Sequence, residues 1–359
     1  MICSAANSRR EKVQPRHARP RGNITSRAER VLITGANGFI GSNLCRYFLQ
    51  HSYDVTALVR RTSDLHFLEG LPLTMVYADL SDPGPVQLPA DLDYVIHAAS
   101  HTTETASRAE ALRHSLDATR NLLDALDRRG IRPKRFVYLS SALVLGHRET
   151  AISEERPGRP ARGIMAYVGA KEATEELLRR RFREQGLPVV ILRPTDVYGP
   201  NDRTVSRRVL RGIEDGWPTI VGTGRRVTSI CGVENVAQAC LLACRGRGKD
   251  GQAYTLTNGT DVTWRELLGF FQQRLGKPQR LYVPLAAAYG LALGMQLLHT
   301  LGATVPLASF YPVARVARDT SYDISRTRRE LGYEPEHDLD RQLGEVVRWY
   351  LQEKERRGV

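Results

Sequence analysis

The sequence is short of the residues that carry the simplest functional assignments. Its 359 residues include only five cysteines, at positions 3, 45, 231, 240 and 244, and no two form a CxxC or CxxC…H arrangement. This excludes a zinc ribbon or a disulfide framework, sets the expected metal at none, and points to a reducing, cytoplasmic setting. Cys240 and Cys244, four apart on an apolar segment, read as small buried side chains. Acidic residues are the scarcer sign: 39 Asp and Glu stand against 52 Lys and Arg, a formal net charge of +13. The excess is partly local, since residues 1–29 hold seven Lys/Arg against Glu11 and Glu29. That segment lacks the apolar core of a secretory signal, and its prolines and low hydrophobicity predict a disordered tail. It lacks interleaved aromatics and any binding motif, so no nucleic-acid partner is expected. Internal repeats and low-complexity blocks are missing too.

Charge itself is missing from residues 281–314, which contain no Lys, Arg, Asp or Glu. Pro284, Pro306, Pro312 and several glycines interrupt this stretch. Two short helices and a loop forming an apolar substrate pocket are expected. The alternative is a peripheral, membrane-surface lid that admits a greasy substrate.

What is present is organised around VLITGANGFIGSNL, residues 31–44. An apolar run predicts a buried strand, Gly35, Gly38 and Gly41 follow, and a helical pattern begins at Phe39. In that strand-to-helix context the three glycines serve a tight turn, a close approach by the cofactor, and close helix–strand packing. The helix N-terminus then favours a diphosphate. Further strands are predicted over 54–59, 73–77, 94–98, 136–140 and 188–192, with long helices over 109–128 and 166–184. This alternation predicts an α/β protein, a Rossmann-type doubly wound parallel sheet with a smaller C-terminal substrate-binding region. The expected division is a basic tail over 1–29 and an NAD(P)-binding domain over 30–193, with 226–257 returning to it. Residues 194–225 and 258–351 are left for the substrate.

The second strand ends in Val59 rather than the acid that would bind a ribose 2′-hydroxyl, and Arg60 and Arg61 follow. Arginine there accommodates a 2′-phosphate, so NADP(H) is favoured and NAD(H) is the alternative. Asp79 and Leu80, after the third strand, are placed to meet the adenine; a turn cap is the plainer role for Asp79. Tyr167 and Lys171 lie i,i+4 on one helix face. A free tyrosine, with a pKa of about 10, is a poor base at neutral pH, but a neighbouring ammonium and the nicotinamide charge stabilise the phenolate. Tyr167 then exchanges a proton with an alcohol or ketone as hydride moves. Ser140 and Ser141 end the fifth strand; Ser141 is expected on the substrate oxygen and Ser140 as a cap of the strand end.

Taken together, TGANGFIGSNL, ADL (78–80), HAA (97–99), SSALVLG, YVGAK and LRPTDVYGP (192–200) resemble an extended short-chain dehydrogenase/reductase in order and spacing. GQAYTLTNG (251–259), the uncharged segment and YDISRTRRELGYEP (322–335) most resemble its 3β-hydroxysteroid dehydrogenase-like branch, which includes ketone reductases acting on apolar substrates. The resemblance implies a catalytic trio of Ser141, Tyr167 and Lys171, with Gly35, Gly38, Phe39 and Ile40 on the diphosphate. It also implies Ala98 and Ala99 beside the cofactor, the loop from Pro194 to Val197 near the nicotinamide, and a homodimer. Family members often carry an Asn that helps hold a water relay to the lysine; aligned on NLL (121–123), that position is Ser115 here. Leu145 stands where a tyrosine often borders the substrate. The expected function is an oxidoreductase interconverting a secondary alcohol and a ketone on an apolar small molecule. A nucleotide-sugar epimerase or 4-ketoreductase is the alternative. Against it, Ala142 and Leu143 offer no carboxylate for elimination, and Asp196 stands where sugar-nucleotide members often place Asn. A non-catalytic NAD(P) sensor is the third reading, although such proteins often lose the Tyr or Lys that this chain keeps.

Overall fold

A computed structural model describes residues 27–358 apart from 83, 85, 101–106, 161–165, 217–219, 278–281, 301–312, 314 and 357. Residues 1–26 of the basic tail and 301–312 of the uncharged segment thus lie outside the described residues. The chain alternates as the apolar pattern requires: β1 (Arg30–Thr34), α1 (Phe39–Gln50), β2 (Asp54–Val59), β3 (Thr74–Tyr77) and β4 (Tyr94–His97). Next come α2 (Arg108–Leu112) and α3 (Ala118–Arg128), joined through a π turn over Arg113–Asp117, then β5 (Arg135–Leu139), α4 (Ala166–Gln185) and β6 (Val189–Pro194). The C-terminal half adds β7 (Asp196–Tyr198), α5 (Val205–Glu214), β8 (Ile220–Val221), β9 (Val227–Gly232), α6 (Val233–Cys244) and β10 (Ala253–Leu256). It ends with β11 (Asp261–Thr263), α7 (Trp264–Arg274), β12 (Tyr282–Val283), α8 (Leu285–Thr300), α9 (Ser325–Leu331) and α10 (Leu339–Arg356).

Seven parallel strands form one sheet in the order β10-β6-β5-β4-β1-β2-β3. Successive residues of a strand face opposite sides. Val31 and Ile33 accordingly enter one core with Leu44 and Phe48 of α1 and Cys240 of α6. Leu32 enters the other with Leu122 and Leu126 of α3 and Leu178 of α4. Burial on both faces explains why the strands read as apolar runs rather than alternating ones. A third core joins Leu210, Phe271, Val346 and Trp349 from α5, α7 and α10.

The chain leaves β1 for β2 on one side and returns to β4 on the other, which opens a crevice at the carboxyl ends of β1 and β4. A buried chain of hydrogen bonds closes its floor. His97 Nδ1 meets the Thr34 hydroxyl at 2.7 Å and Nε2 meets Thr119 at 2.9 Å. Thr119 donates to the Ser115 carbonyl, so it accepts from Nε2–H, which assigns the tautomer. Burial, and then the Lys171 ammonium, lower the imidazole pKa to about 3, so His97 stays neutral.

One local expectation differs from the structure. The single helix expected over 109–128 is broken by the π turn, which inserts an extra residue per turn and re-aims His114 and Ser115. In the uncharged segment α8 spans 16 residues with Pro284 just before it, and the expected loop lies mainly outside the described residues. Ala288 and Ala292 pack beside Val313, Val221 and Val283, while Leu291 and Leu293 are exposed. No described helix is long and apolar enough to cross a membrane.

Candidate active site

The β1–α1 turn is built as the three glycines require. Gly35 has φ +64°, and an added Cβ would lie 2.8 Å from the Ala99 Cα on the neighbouring strand's exit. At Gly41 a Cβ would press on backbone on the β1 side, 2.8 Å from the Ala36 Cα, so α1 lies directly on the turn. Gly38, in ordinary extended geometry, has only the Gly35 oxygen nearby, and its open side faces the crevice. The first turn of α1 carries no acidic residue that would repel an anion.

That crevice is a cavity of about 440 Å³. Of the residues singled out in the sequence, Gly35, Gly38, Phe39, Ile40 and Gly41 line it on the α1 side. Arg60, Asp79 and Leu80 line the β2–β3 end, Ala98 and Ala99 the middle, and Tyr167, Lys171 and Pro194 the far end. Three others do not line it. Arg61 turns over the Tyr77 ring, 5.7 Å from its centroid. Val197 points into the core beneath the sheet. Ser141 lines a neighbouring cavity. Asp79 does cap a turn, accepting from the Ser81 amide at 2.9 Å, and lines the cavity as well. Sequence reasoning missed Ser81, His114 and Ser100. Ser81 and His114 pair at 2.6 Å along the wall, placed there by a π turn that no residue pattern announces. The Ser100 hydroxyl is buried at the cavity without a partner among the described residues.

At the far end, α4 delivers Tyr167 and Lys171 from one face. Lys171 is 2% exposed; its ammonium donates to the Leu139 carbonyl at 2.6 Å and lies over the Tyr138 and Tyr167 rings, 4.7 and 5.6 Å from their centroids. Burial lowers its pKa to about 7, against the pull of Glu175. The Ser141 hydroxyl, which also accepts from the Leu143 amide at 3.3 Å, is within hydrogen-bonding reach of the Tyr167 phenol. Burial nevertheless pushes that phenol well above its ordinary value. The chain alone therefore does not lower it as the lysine's proximity suggested, because desolvation of a phenolate outweighs the nearby donor. Ser140 also departs from its expected role: instead of capping the strand end, its hydroxyl donates to the buried Glu175 carboxylate at 2.6 Å. Ser115 directs its hydroxyl to Tyr138 (3.3 Å) and Thr174 (3.1 Å).

Beyond Ser141 lies a smaller cavity of about 40 Å³ whose walls include Leu143, His147, Thr195, Asp196 and Arg315. Asp196 and Arg315 pair across it, and Arg315 stacks on Trp264 at 5.0 Å. No described residue of 281–314 lines either cavity, and neither does the buried Leu145. The described wall of this cavity mixes polar side chains with Ala142, Leu143 and Tyr322, and residues 301–312 of the stretch expected to form an apolar pocket lie outside the described residues.

A parallel sheet with a glycine cradle at its switch point and a Tyr–Lys pair on the next wall defines a nucleotide-dependent oxidoreductase class. Comparison with known proteins makes this specific. Residues 31–256 match the model of the NAD dependent epimerase/dehydratase family. A Stigmatella aurantiaca 4-hydroxy-2-methyl-3-oxo-4-farnesyl-3,4-dihydroquinoline-1-oxide ketoreductase is 30% identical, covering 85% of this chain and 91% of its own length. A Mycolicibacterium neoaurum 3-beta-hydroxysteroid dehydrogenase is 26% identical over 89% and 91%. Among solved structures, a Streptomyces venezuelae dTDP-glucose 4,6-dehydratase with NAD bound matches with a TM-score of 0.69 and 25% identity, over 90% of this chain and 98% of that one. The chain belongs to the NAD dependent epimerase/dehydratase family and, within the extended short-chain dehydrogenases/reductases, to the 3β-hydroxysteroid dehydrogenase-like branch. It is an NAD(P)-dependent oxidoreductase acting on CH–OH groups and ketones.

Proposed function

We propose that the chain is a cytoplasmic, homodimeric NADP(H)-dependent ketoreductase, reducing a ketone on a largely apolar small molecule with Tyr167 as the proton donor. The observation that carries this is the meeting of Tyr167, Lys171 and Ser141 at the boundary between the dinucleotide-sized crevice and the second cavity. The crevice suits the cofactor, since Gly38 leaves open the side where a Cβ would stand and Ser100 offers a hydroxyl with no partner among the described residues. Gly35, Gly38, Phe39, Ile40 and Gly41 would hold the diphosphate, Arg60 with Arg61 behind it the 2′-phosphate, and Asp79 and Leu80 the adenine. Ala98, Ala99 and Pro194 would line the route to the nicotinamide, with Val197 backing the Pro194 loop from the core. When bound, NADPH supplies the hydride. Every other contribution comes from the chain: Ser141 orients the ketone oxygen, Lys171 holds positive charge beside Tyr167, and the phenol, kept protonated by burial, hands its proton to that oxygen.

The experiment is NADPH oxidation against a panel of ketones graded in apolar size, with dTDP-4-keto sugars alongside. Turnover that rises with apolar surface is expected. Turnover confined to the sugars would overturn the apolar part and favour the second reading, a nucleotide-sugar 4-ketoreductase, to which the polar cavity around the Asp196–Arg315 pair lends support. The cofactor preference has its own check. Arg60→Ala is expected to weaken NADPH binding about tenfold, as loss of a charge-assisted contact does, and to leave NADH binding unchanged. Equal affinities for both nucleotides in the parent chain would remove the preference.

A further inference from the structure

We propose that Glu175 is a positioning residue for the reaction: a buried carboxylate, fixed by Arg193, that keeps Lys171 and Ser140 in the arrangement Tyr167 requires. This rests on the reading of Tyr167 and Lys171 given above. The three residues Tyr167, Lys171 and Glu175 succeed one another at i, i+4 and i+8 on α4, so they share one face. Glu175 is 1% exposed, and both of its oxygens are engaged. Oε1 accepts from the Ser140 hydroxyl at 2.6 Å and from Arg193 Nε at 2.9 Å. Oε2 accepts from Arg193 Nη2 at 2.5 Å and Arg179 Nη2 at 2.8 Å. Ser140 itself lines the cofactor crevice, so a single carboxylate joins β5, β6 and α4 at the reacting end.

Stability alone is a weak reason for such a pair. Desolvating two charges costs as much as their attraction returns, and an apolar pair of similar size often serves as well. A carboxylate one helical turn from a buried ammonium does something an apolar residue cannot. The groups facing Lys171 are few. From its own helix they are Tyr167 and Glu175, from β5 the Tyr138 ring and the Leu139 carbonyl, and from β4 His97. From β6 Arg193 stands behind Glu175, its own charge countered by that carboxylate and by Glu154 at 4.0 Å. His97 is held neutral, and burial pushes the Tyr138 phenol up, so it too stays uncharged. Among the described residues Glu175, paired with both Arg193 and Arg179, is the carboxylate that favours the protonated lysine against its burial.

The sign follows. Removing the carboxylate's charge lowers the Lys171 pKa further below about 7, the ammonium is lost at lower pH, and turnover that depends on it falls at lower pH. Glu175→Gln is expected to move the alkaline midpoint of kcat down by about one unit, with little change in KM for the ketone. A unit above the parent midpoint this is a loss of about tenfold. Glu175→Asp, which restores the charge, is expected to return the midpoint toward the parent value. Should Gln leave Arg193 unpaired and the fold too weak, Glu175→Gln with Arg193→Met also removes the opposing cation and is expected to shift the midpoint in the same direction by a smaller amount. A parent-like midpoint in either variant, or a kcat lowered equally at every pH, would overturn the proposal; so would failure of both to fold, which assigns the pair to stability. The pH midpoint of NADPH binding, read by nucleotide fluorescence, reports Lys171 without turnover. A parent chain that binds NADPH but reduces no ketone would therefore defeat the ketoreductase reading while leaving this comparison decisive.

Discussion

Tyr167→Phe is expected to lower ketone turnover by about 10²–10⁴-fold and to change NADPH affinity by less than roughly threefold, because the ring that lines the crevice stays in place. The substitution removes one oxygen and nothing else. The ring keeps its packing beside Val144 and Val168, Lys171 keeps its bond to the Leu139 carbonyl, and Ser141 still accepts from the Leu143 amide. Folding stability is accordingly expected to stay near that of the parent, since a phenylalanine in this half-buried setting leaves no buried charge or cavity. Lost turnover with retained binding and an unchanged Tm isolates the proton. A parent-like rate in the variant would end the assignment of Tyr167 as proton donor, whatever the substrate.

The parts of this site that could be read from the sequence are those in which one residue type has one physical use. The β1 apolar run and the Gly35–Gly38–Gly41 triplet predict a strand, a turn and a helix start, and each glycine occupies the position its lack of a Cβ demands. Helical spacing places Tyr167 and Lys171 on one face without further information. The strand boundaries fall within a residue or two of expectation for the same reason: runs of Val, Ile and Leu buried on both faces have few other ways to fold.

What escaped depends on partners far apart in sequence. Nothing in FVYLSS says that Ser140 meets Glu175, 35 positions away, or that Arg193 comes in from β6 to the same carboxylate. The π turn at 113–117 arises in a segment whose apolar periodicity looks unbroken, yet it decides that His114 lines the crevice and that Ser115 faces Tyr138 and Thr174. The phenol of Tyr167 was expected low because a lysine is near; its burial, which no spacing reveals, sends it the other way. Charge-free composition in 281–314 points to a pocket wall, but it does not say that Asp196, Thr195 and Arg315, from β7 and the loops, line the cavity beyond Ser141. Local pattern specifies elements, whereas protonation and pocket character are set by tertiary neighbours.

Gly41→Ala separates these two levels at the cofactor turn. On helix propensity alone the change should stabilise α1 by about 1 kcal/mol. Here the new methyl would stand 2.8 Å from both the Ala36 Cα and the Gly35 carbonyl carbon, all of it backbone that cannot rotate away. The start of α1 must lift from the turn, at an overpacking cost of about 1–3 kcal/mol, and the net expectation is a Tm lower by a few degrees. The same displacement carries the amides of Phe39 and Ile40 away from the diphosphate. An NADPH affinity about 100-fold weaker, equivalent to about 2.7 kcal/mol, is expected. Gly38→Ala is the contrasting case. Its methyl meets only the Gly35 oxygen, at 3.2 Å, in a backbone conformation that alanine adopts freely. Tm should therefore hold while NADPH binding weakens, because the methyl occupies the open side that the cofactor approaches. Thermal unfolding and nucleotide titration of the two variants thus test separate functions of adjacent glycines. Parent-like NADPH binding by Gly38→Ala would mean that the diphosphate does not lie against this turn.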